Sequence, residues 1–259
     1  MTLFARIAAG FGFGKATLEQ SRQWCNGPDS TPDQRIAGCT ALIQAGTETR
    51  QSLAAALYNR GNAHYAKGDY DHAIADYSEA LRLDPNDPSA YDNRGSAYSH
   101  KGDIERALAD YQRAIEIDPR NIEPIYNRAN LYKKKGDLDR AMADYNQAIS
   151  LDPKAEWPYI NRGNLHKDKK DYDFAIADYN EAIRLNQNNA ATFNNRATAY
   201  YLKQNYDRAI ADYDQAISID PNYAIPYYGR SLAKRQRGDT AGADADEAHA
   251  KKLSPDLFK

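Results

Sequence analysis

The chain of 259 residues is short of cysteine, methionine and tryptophan, with two of each, and of net charge, which is formally −2. A balance so near zero gives no field that would draw the whole molecule onto nucleic acid or anionic lipid. No apolar run approaches the ~20 residues that a membrane helix needs, so no transmembrane segment is expected. The five histidines (64, 72, 100, 166 and 249) are scattered. Serines, cysteines and carboxylates show no nucleophile–base spacing, so neither catalysis nor a metal or other cofactor is expected. Gly10, Gly12, Gly14 and Lys15 hint at a phosphate loop, but Ala16 stands where Ser or Thr is required and no strand precedes it.

What the chain has in abundance is a repeat. Asn-Arg recurs at Asn59-Arg60, Asn93-Arg94, Asn127-Arg128, Asn161-Arg162 and Asn195-Arg196, each 34 residues after the last, and the next step lands on Gly229-Arg230. Asp-Pro keeps the same step at Asp84, Asp118, Asp152 and Asp220. Alanine recurs at 73, 107, 141, 175, 209 and 243, and seven residues further on in every copy. A fixed period in this range means stacked supersecondary units, each burying its apolar face on the next.

Places within each copy are counted from Ala54. Places 4, 8 and 11 hold Leu57, Gly61 and His64, then Tyr91, Gly95 and Tyr98: one face of a helix. Places 20, 24, 27 and 28 hold Ala73, Tyr77, Ala80 and Leu81, the face of a second helix. Lys67-Gly68-Asp69 supplies a glycine stop and an aspartate cap between them, and Asp84-Pro85 ends the pair. Each copy is therefore an αα-hairpin, with small residues at places 8, 20 and 27 for close approach and large ones at 4 and 24 filling the gaps.

Gly61, Ala73, Tyr77, Ala80 and Pro85, with their later equivalents, resemble the tetratricopeptide-repeat pattern W-x2-L-G-x2-Y, A-x3-F and P. The resemblance implies an all-α, right-handed α-solenoid of antiparallel helix pairs whose first helices line a concave groove. It also implies a protein-interaction role. Six units are expected, at 54–87, 88–121, 122–155, 156–189, 190–223 and 224–257. The last acts as a C-terminal cap, because Asp244, Glu247 and Lys251 replace its apolar positions. Residues 1–16 form an apolar, glycine-rich arm that makes a poor signal peptide, since its apolar region is short and carries Arg6.

Residues 17–53 are expected to form a capping helix pair, Thr17–Cys25 and Gln34–Ala45, with Asp33 as N-cap and Gly46 as stop. Both cysteines, Cys25 and Cys39, fall in this hairpin. They form either a disulfide, implying a periplasmic or secreted setting, or two buried thiols, compatible with the cytoplasm.

Two departures from the family pattern recur in every copy. Place 7, normally leucine, is Arg60, Arg94, Arg128, Arg162, Arg196 and Arg230; place 23 is Asp76, Asp110, Asp144, Asp178, Asp212 and Asp246. The aspartates share a stripe with interior residues, and a buried charge requires a partner. Arg–Asp ion pairs are expected, within one copy (Arg60 with Asp76) or to the next (Asp76 with Arg94). Same-copy pairing is favoured because it leaves neither Arg60 nor Asp246 alone.

Place 6 carries Asn59, Asn93, Asn127, Asn161 and Asn195. A row of carboxamides, each both donor and acceptor, could hold the backbone of an extended peptide. It is similar to the asparagine ladder of the O-linked N-acetylglucosamine transferases. Around it Tyr58, Tyr65, Asp92, Tyr126, Asn130, Lys133, Trp157, Asn164, Lys167 and Tyr201 differ between copies and would set specificity. Place 5 lacks the lysine of carboxylate-gripping grooves. Lys133–Lys135 reads as a solvated helix end. The expected function is non-catalytic binding of a protein or peptide partner. The alternative is self-assembly into homo-oligomers through the arm or a stack edge.

Overall fold

The computed structural model describes residues 16–258. Most of the apolar arm, and with it the expectation of arm-driven assembly, lies outside the described residues. Fourteen α-helices and a closing 3-10 turn, Pro255–Phe258, make up the regular structure there. The protein packs as two compact units, with the boundary between Arg128 and Ala129.

The first unit begins with the pair α1 (Leu18–Asn26) and α2 (Pro32–Ala45). The start of α2 lies earlier than Asp33 suggests. Thr31 is the N-cap: its hydroxyl accepts from the Gln34 N–H (3.2 Å), and the Gln34 side chain accepts from the Thr31 N–H (2.9 Å). This reciprocal capping box, followed by Pro32 at the first helical position, outcompetes a lone aspartate. Gly46 ends α2 at φ 65°, a left-handed conformation that glycine adopts without strain. Cys25 and Cys39, both fully buried, form a disulfide with Cα atoms 4.7 Å apart. The helices approach so closely that a Cβ on Gly38 would stand 2.6 Å from the Ser21 carbonyl oxygen.

The same unit continues with α3 (Arg50–Ala66), α4 (Tyr70–Leu83), α5 (Pro88–His100) and α6 (Ile104–Ile117), and α7 (Ile122–Lys135) crosses the boundary. The second unit holds α8 (Leu138–Leu151), α9 (Glu156–Asp168), α10 (Tyr172–Leu185), α11 (Ala190–Leu202), α12 (Tyr206–Ile219), α13 (Ala224–Gln236) and α14 (Thr240–Leu253). In both units the core repeats with the sequence. Ala73, Ala107, Ala175 and Ala209 are fully buried, and Tyr77, Tyr111, Tyr179 and Tyr213 are at most 3% exposed. The tyrosine ring lies on the place-8 residue of the facing helix. A Cβ on Gly61 would meet the Tyr77 ring at 2.7 Å, so alanine there would require the ring to shift, as it must lie farther off where this place is Ala129 or Ala197.

Aspartate or asparagine precedes each second helix; Asp69, for example, accepts from the His72 N–H at 3.4 Å. The residue before it is left-handed: Gly68, Gly102, Gly136 and Gly238 in four copies, but Lys170 and Gln204 in two. Those two non-glycine residues bear a cost of about 1 kcal/mol each. At the C-terminal end, Asp244 and Lys251 are exposed, and Arg235 bridges Asp244 (2.7 Å) and Glu247 (3.0 Å). Polar side chains thus replace apolar ones on α14.

Candidate interaction site on the first helices

The place-7 arginine of copy one is a fork with two ends. Nε and Nη2 of Arg60 grip Asp76 of the same copy at 2.8 and 2.6 Å. Arg94–Asp110, Arg162–Asp178, Arg196–Asp212 and Arg230–Asp246 repeat this geometry at 2.6–2.9 Å. The remaining nitrogen, Nη1, reaches the second helix of the preceding copy: Arg94 to Ser78 (3.1 Å), Arg162 to Asn146 (2.7 Å), Arg196 to Asn180 (2.7 Å) and Arg230 to Asp214 (2.5 Å). Arg128 likewise bonds Gln112, and Arg60 reaches Thr40 on the capping pair at 3.1 Å.

The aspartates are buried, 5–7% exposed. Burial disfavours the charges of Arg94 and Arg196, but hydrogen bonds to Asp110 and Asp212 outweigh it and hold both pKa values above the ordinary. Burial likewise opposes the charge on Asp246, yet hydrogen bonds from Arg230 and Lys234 keep its carboxyl below the usual range. This bidentate geometry suits guanidinium alone. The arginines are therefore committed to the fold and form no free anion-binding stripe.

A second link passes unnoticed in the sequence. The hydroxyl of each buried place-24 tyrosine bonds place 9 of its own copy. Tyr77 donates to Asn62 (2.7 Å), Tyr145 to Asn130 (2.7 Å) and Tyr179 to Asn164 (2.8 Å); Tyr111 meets Ser96 (3.2 Å) and Tyr213 meets Thr198 (3.3 Å). A buried phenol needs such a partner. The signal was present: the sixth copy, which has Glu247 in place of tyrosine, also has Leu232 in place of the acceptor. Asn130 and Asn164, expected to read a ligand, thus hold core hydroxyls through their carbonyl oxygens.

The asparagine ladder is spent unevenly. In the first unit each carboxamide donates to the first helix before it. Asn59 bonds Asn26 (3.0 Å), Asn93 bonds Tyr58 (2.9 Å) and Asn62 (3.0 Å), and Asn127 bonds Asp92 (3.0 Å). Asp92 is consequently not a groove residue. It is 7% exposed, and burial pushes its carboxyl up to about 6 although the Asn127 hydrogen bond works the other way. Tyr58, half-buried, is held as acceptor by Asn93, and burial raises its pKa.

In the second unit Asn161 donates to the Trp157 carbonyl of its own helix (2.9 Å). The half-buried Asn195 faces a copy whose place 5 is Ile160, which has no side-chain acceptor, and its carboxamide bonds no described residue. Its neighbour Asn194 is 6% exposed with Oδ1 unsatisfied, and buried Thr192 Oγ1 is unsatisfied too. Asn194 lacks a donor because the sixth copy has Gly229 in the ladder place. The Tyr213 ring occupies the space a side chain would take there, with its nearest atom 2.4 Å from a Cβ built on Gly229. Leu202 at the end of α11, and Ile225 and Tyr228 on α13, are 43%, 44% and 37% exposed.

The other candidates pack locally. Tyr65 sits edge-on to Tyr70 and His100, both at 5.5 Å, and Tyr201 lies 5.6 Å from Tyr206. Lys133 faces Asp168 at 3.9 Å, and the half-buried Lys167 contributes its carbonyl to the turn at Lys170. Tyr126 and Trp157 are half-buried. The basic run is matched by carboxylates, Lys169 with Asp139 (3.3 Å) among them. The histidines, which looked scattered, are not all apart: His64 and His72 stack with ring centroids 5.1 Å apart beside Asp69.

Among the described residues the elements are helix pairs with a shared hairpin geometry, which defines an all-α repeat protein. Family models described as "TPR repeat" match residues 61–102, 95–136 and 129–170, and one described as "Tetratricopeptide repeat" matches 157–189 and 190–223. Together they span more than half of the chain, and the chain belongs to the tetratricopeptide-repeat family. Curated protein sequences yield no match.

Several solved structures are similar. A tetratricopeptide repeat protein from Parabacteroides merdae has a TM-score of 0.68 at 22% identity, covering 92% of this chain and 91% of that one. PilF from Pseudomonas aeruginosa has a TM-score of 0.70 at 19% identity, covering 81% and 95%. YrrB, described as a TPR protein with an unusual peptide-binding site, has a TM-score of 0.58 at 20% identity, covering 70% and 93%. Identities this low establish the fold alone. Proteins of this repeat family generally mediate protein–protein interactions, and the fold is typically a non-catalytic scaffold.

Proposed function

We propose that this protein is a non-catalytic scaffold that holds an extended segment of a partner protein on its first helices, and that the second unit supplies the principal contact on α11 and α13. The observation that carries this reading is the half-buried Asn195, whose carboxamide bonds no described residue, together with the exposed side chains of Leu202 on α11 and of Ile225 and Tyr228 on α13. A half-buried carboxamide without a protein partner offers a donor and an acceptor to a bound backbone. Exposed aliphatic and aromatic side chains on the same helices suit the anchor residues of a peptide. The asparagines of the first unit support the reading less, because their amide donors already join one copy to the next. A peptide-binding site in YrrB is consistent with the general mode.

The test is selection from a displayed library of random peptides. Peptides selected on the wild-type protein should lose most of their binding to Asn195→Ala and to Tyr228→Ala, and keep it with Asn93→Ala. Selected peptides that bind all three variants equally would remove the second-unit site. Self-assembly remains the second reading only as the sequence raised it, and scattering mass measured with and without residues 1–15 decides it.

A further inference from the structure

The turn between α3 and α4 brings together three side chains with the chemistry of a transition-metal site. His64 lies half-buried in the last turn of α3, Asp69 caps α4, and His72 lies in the first turn of α4. His64 Nδ1 lies 3.3 Å from Asp69 Oδ2, and His72 Nδ1 lies 2.8 Å from the same oxygen. The three ligand atoms all fall within 4.8 Å of one another. Metal–ligand bonds of about 2.0–2.2 Å in a tetrahedral shell put donor atoms roughly 3.4 Å apart, so the required adjustment is small.

The turn itself is fixed. The Asp69 N–H donates to the His64 carbonyl at 2.9 Å, and Gly68 takes φ 76° between them. His72, 72% exposed at its side chain, has room to turn towards a shared ion.

The other copies show what this place does when it has no such task. Place 11 packs on place 19 in copies two to five. In copies two, three and five, arginine lies over tyrosine: Arg106 over Tyr98 at 4.4 Å, Arg140 over Tyr132 at 4.5 Å and Arg208 over Tyr200 at 5.6 Å. In copy four, Phe174 stacks on His166 at 5.3 Å, and His166 lies 3.9 Å from Asp171. A cation or a ring serves packing equally well at place 19. Only copy one has imidazole at both places with the capping aspartate between them, and among the described residues this is the one group with the spacing of a metal site.

We infer that His64, Asp69 and His72 bind a divalent transition-metal ion of the imidazole-preferring class, with zinc as the representative. Three protein ligands leave a fourth tetrahedral position for water. The aspartate gives charge and the imidazoles give the preference over magnesium or calcium. The ion would clip the end of α3 to the start of α4 in the first unit and raise the melting temperature with the logarithm of free metal once the site is saturated.

The test uses the full chain, free of any histidine tag, titrated with zinc chloride in a calorimeter. Two variants accompany it. The double exchange His64→Tyr with His72→Arg installs the pair that copies two, three and five carry, so the hairpin packing is retained. The single exchange His72→Gln, at an exposed position, serves if the double variant folds poorly. The wild-type protein should take up one zinc per chain saturably. The double exchange should weaken that uptake by more than the ~100-fold typical of losing an outer-shell partner, and His72→Gln should weaken it by at least about tenfold. No saturable uptake by the wild-type protein would overturn the inference. So would uptake of the same strength in both variants.

Discussion

The two units use one asparagine position for different ends. In the first, the carboxamides of Asn59, Asn93 and Asn127 meet Asn26, Tyr58, Asn62 and Asp92 on the helix before them. In the second, Asn195 faces Ile160, Gly229 interrupts the row, and Asn194 and Thr192 retain unsatisfied buried oxygens. A repeat position is therefore not a functional class in itself. What it does depends on the residue at place 5 of the neighbouring copy, and changing that residue turns a structural bond into an open hydrogen-bonding group.

The largest effect should come from what the units share. Arg94→Ala in the first and Arg196→Ala in the second each leave a buried aspartate without its partner, and each should cost about 3–5 kcal/mol in urea unfolding. A large cost in one unit and none in the other would break the symmetry. Next comes a feature of the first unit only. Replacing Cys25 and Cys39 with serine opens a loop of separation 14, and should cost about 3 kcal/mol in the chain-entropy model. Second-unit helices should then melt as before while the capping pair loosens, which amide exchange resolves.

Asp92 gives the third comparison. Its carboxyl, ordinarily near 3.8, is raised to about 6 in the fold, so the folded state holds its proton more tightly than the unfolded chain does. Stability from this group is full below the unfolded pKa and is lost as pH rises from about 4 through 6. Asp92→Asn keeps an acceptor for Asn127 and removes the charge. It should stabilise by about 1–3 kcal/mol at pH 7 and by little at pH 4, where melting temperatures of the two proteins should converge.

Much of the fold was legible because its signals are local and repeated. The 34-residue period, the glycine stops and the alanine stripes each point to the same hairpin, and Arg60 with Asp76 could be paired by counting partners at the two ends of the row. The capping helix α2 was misplaced by its N-cap because Thr31 and Gln34 act jointly, and one residue read alone does not show it. The ladder was harder. Asn93 and Asn195 are identical in type and place, and their difference lies 35 residues upstream, in Tyr58 against Ile160. Asp92 looked like a surface charge because its burial depends on Asn127 of the next copy. The histidine cluster escaped because His64 and His72 are on different helices and meet only through the tight turn at Gly68.

The most direct test compares the ladder across the units by unfolding in urea, without any ligand. Asn127→Ala removes the donor to buried Asp92 and should cost about 1–2 kcal/mol, whereas Asn195→Ala removes nothing that holds the fold and should stay within about 0.5 kcal/mol of wild type. Equal losses in the two variants would contradict the contrast between a bonded Asn127 and an open Asn195.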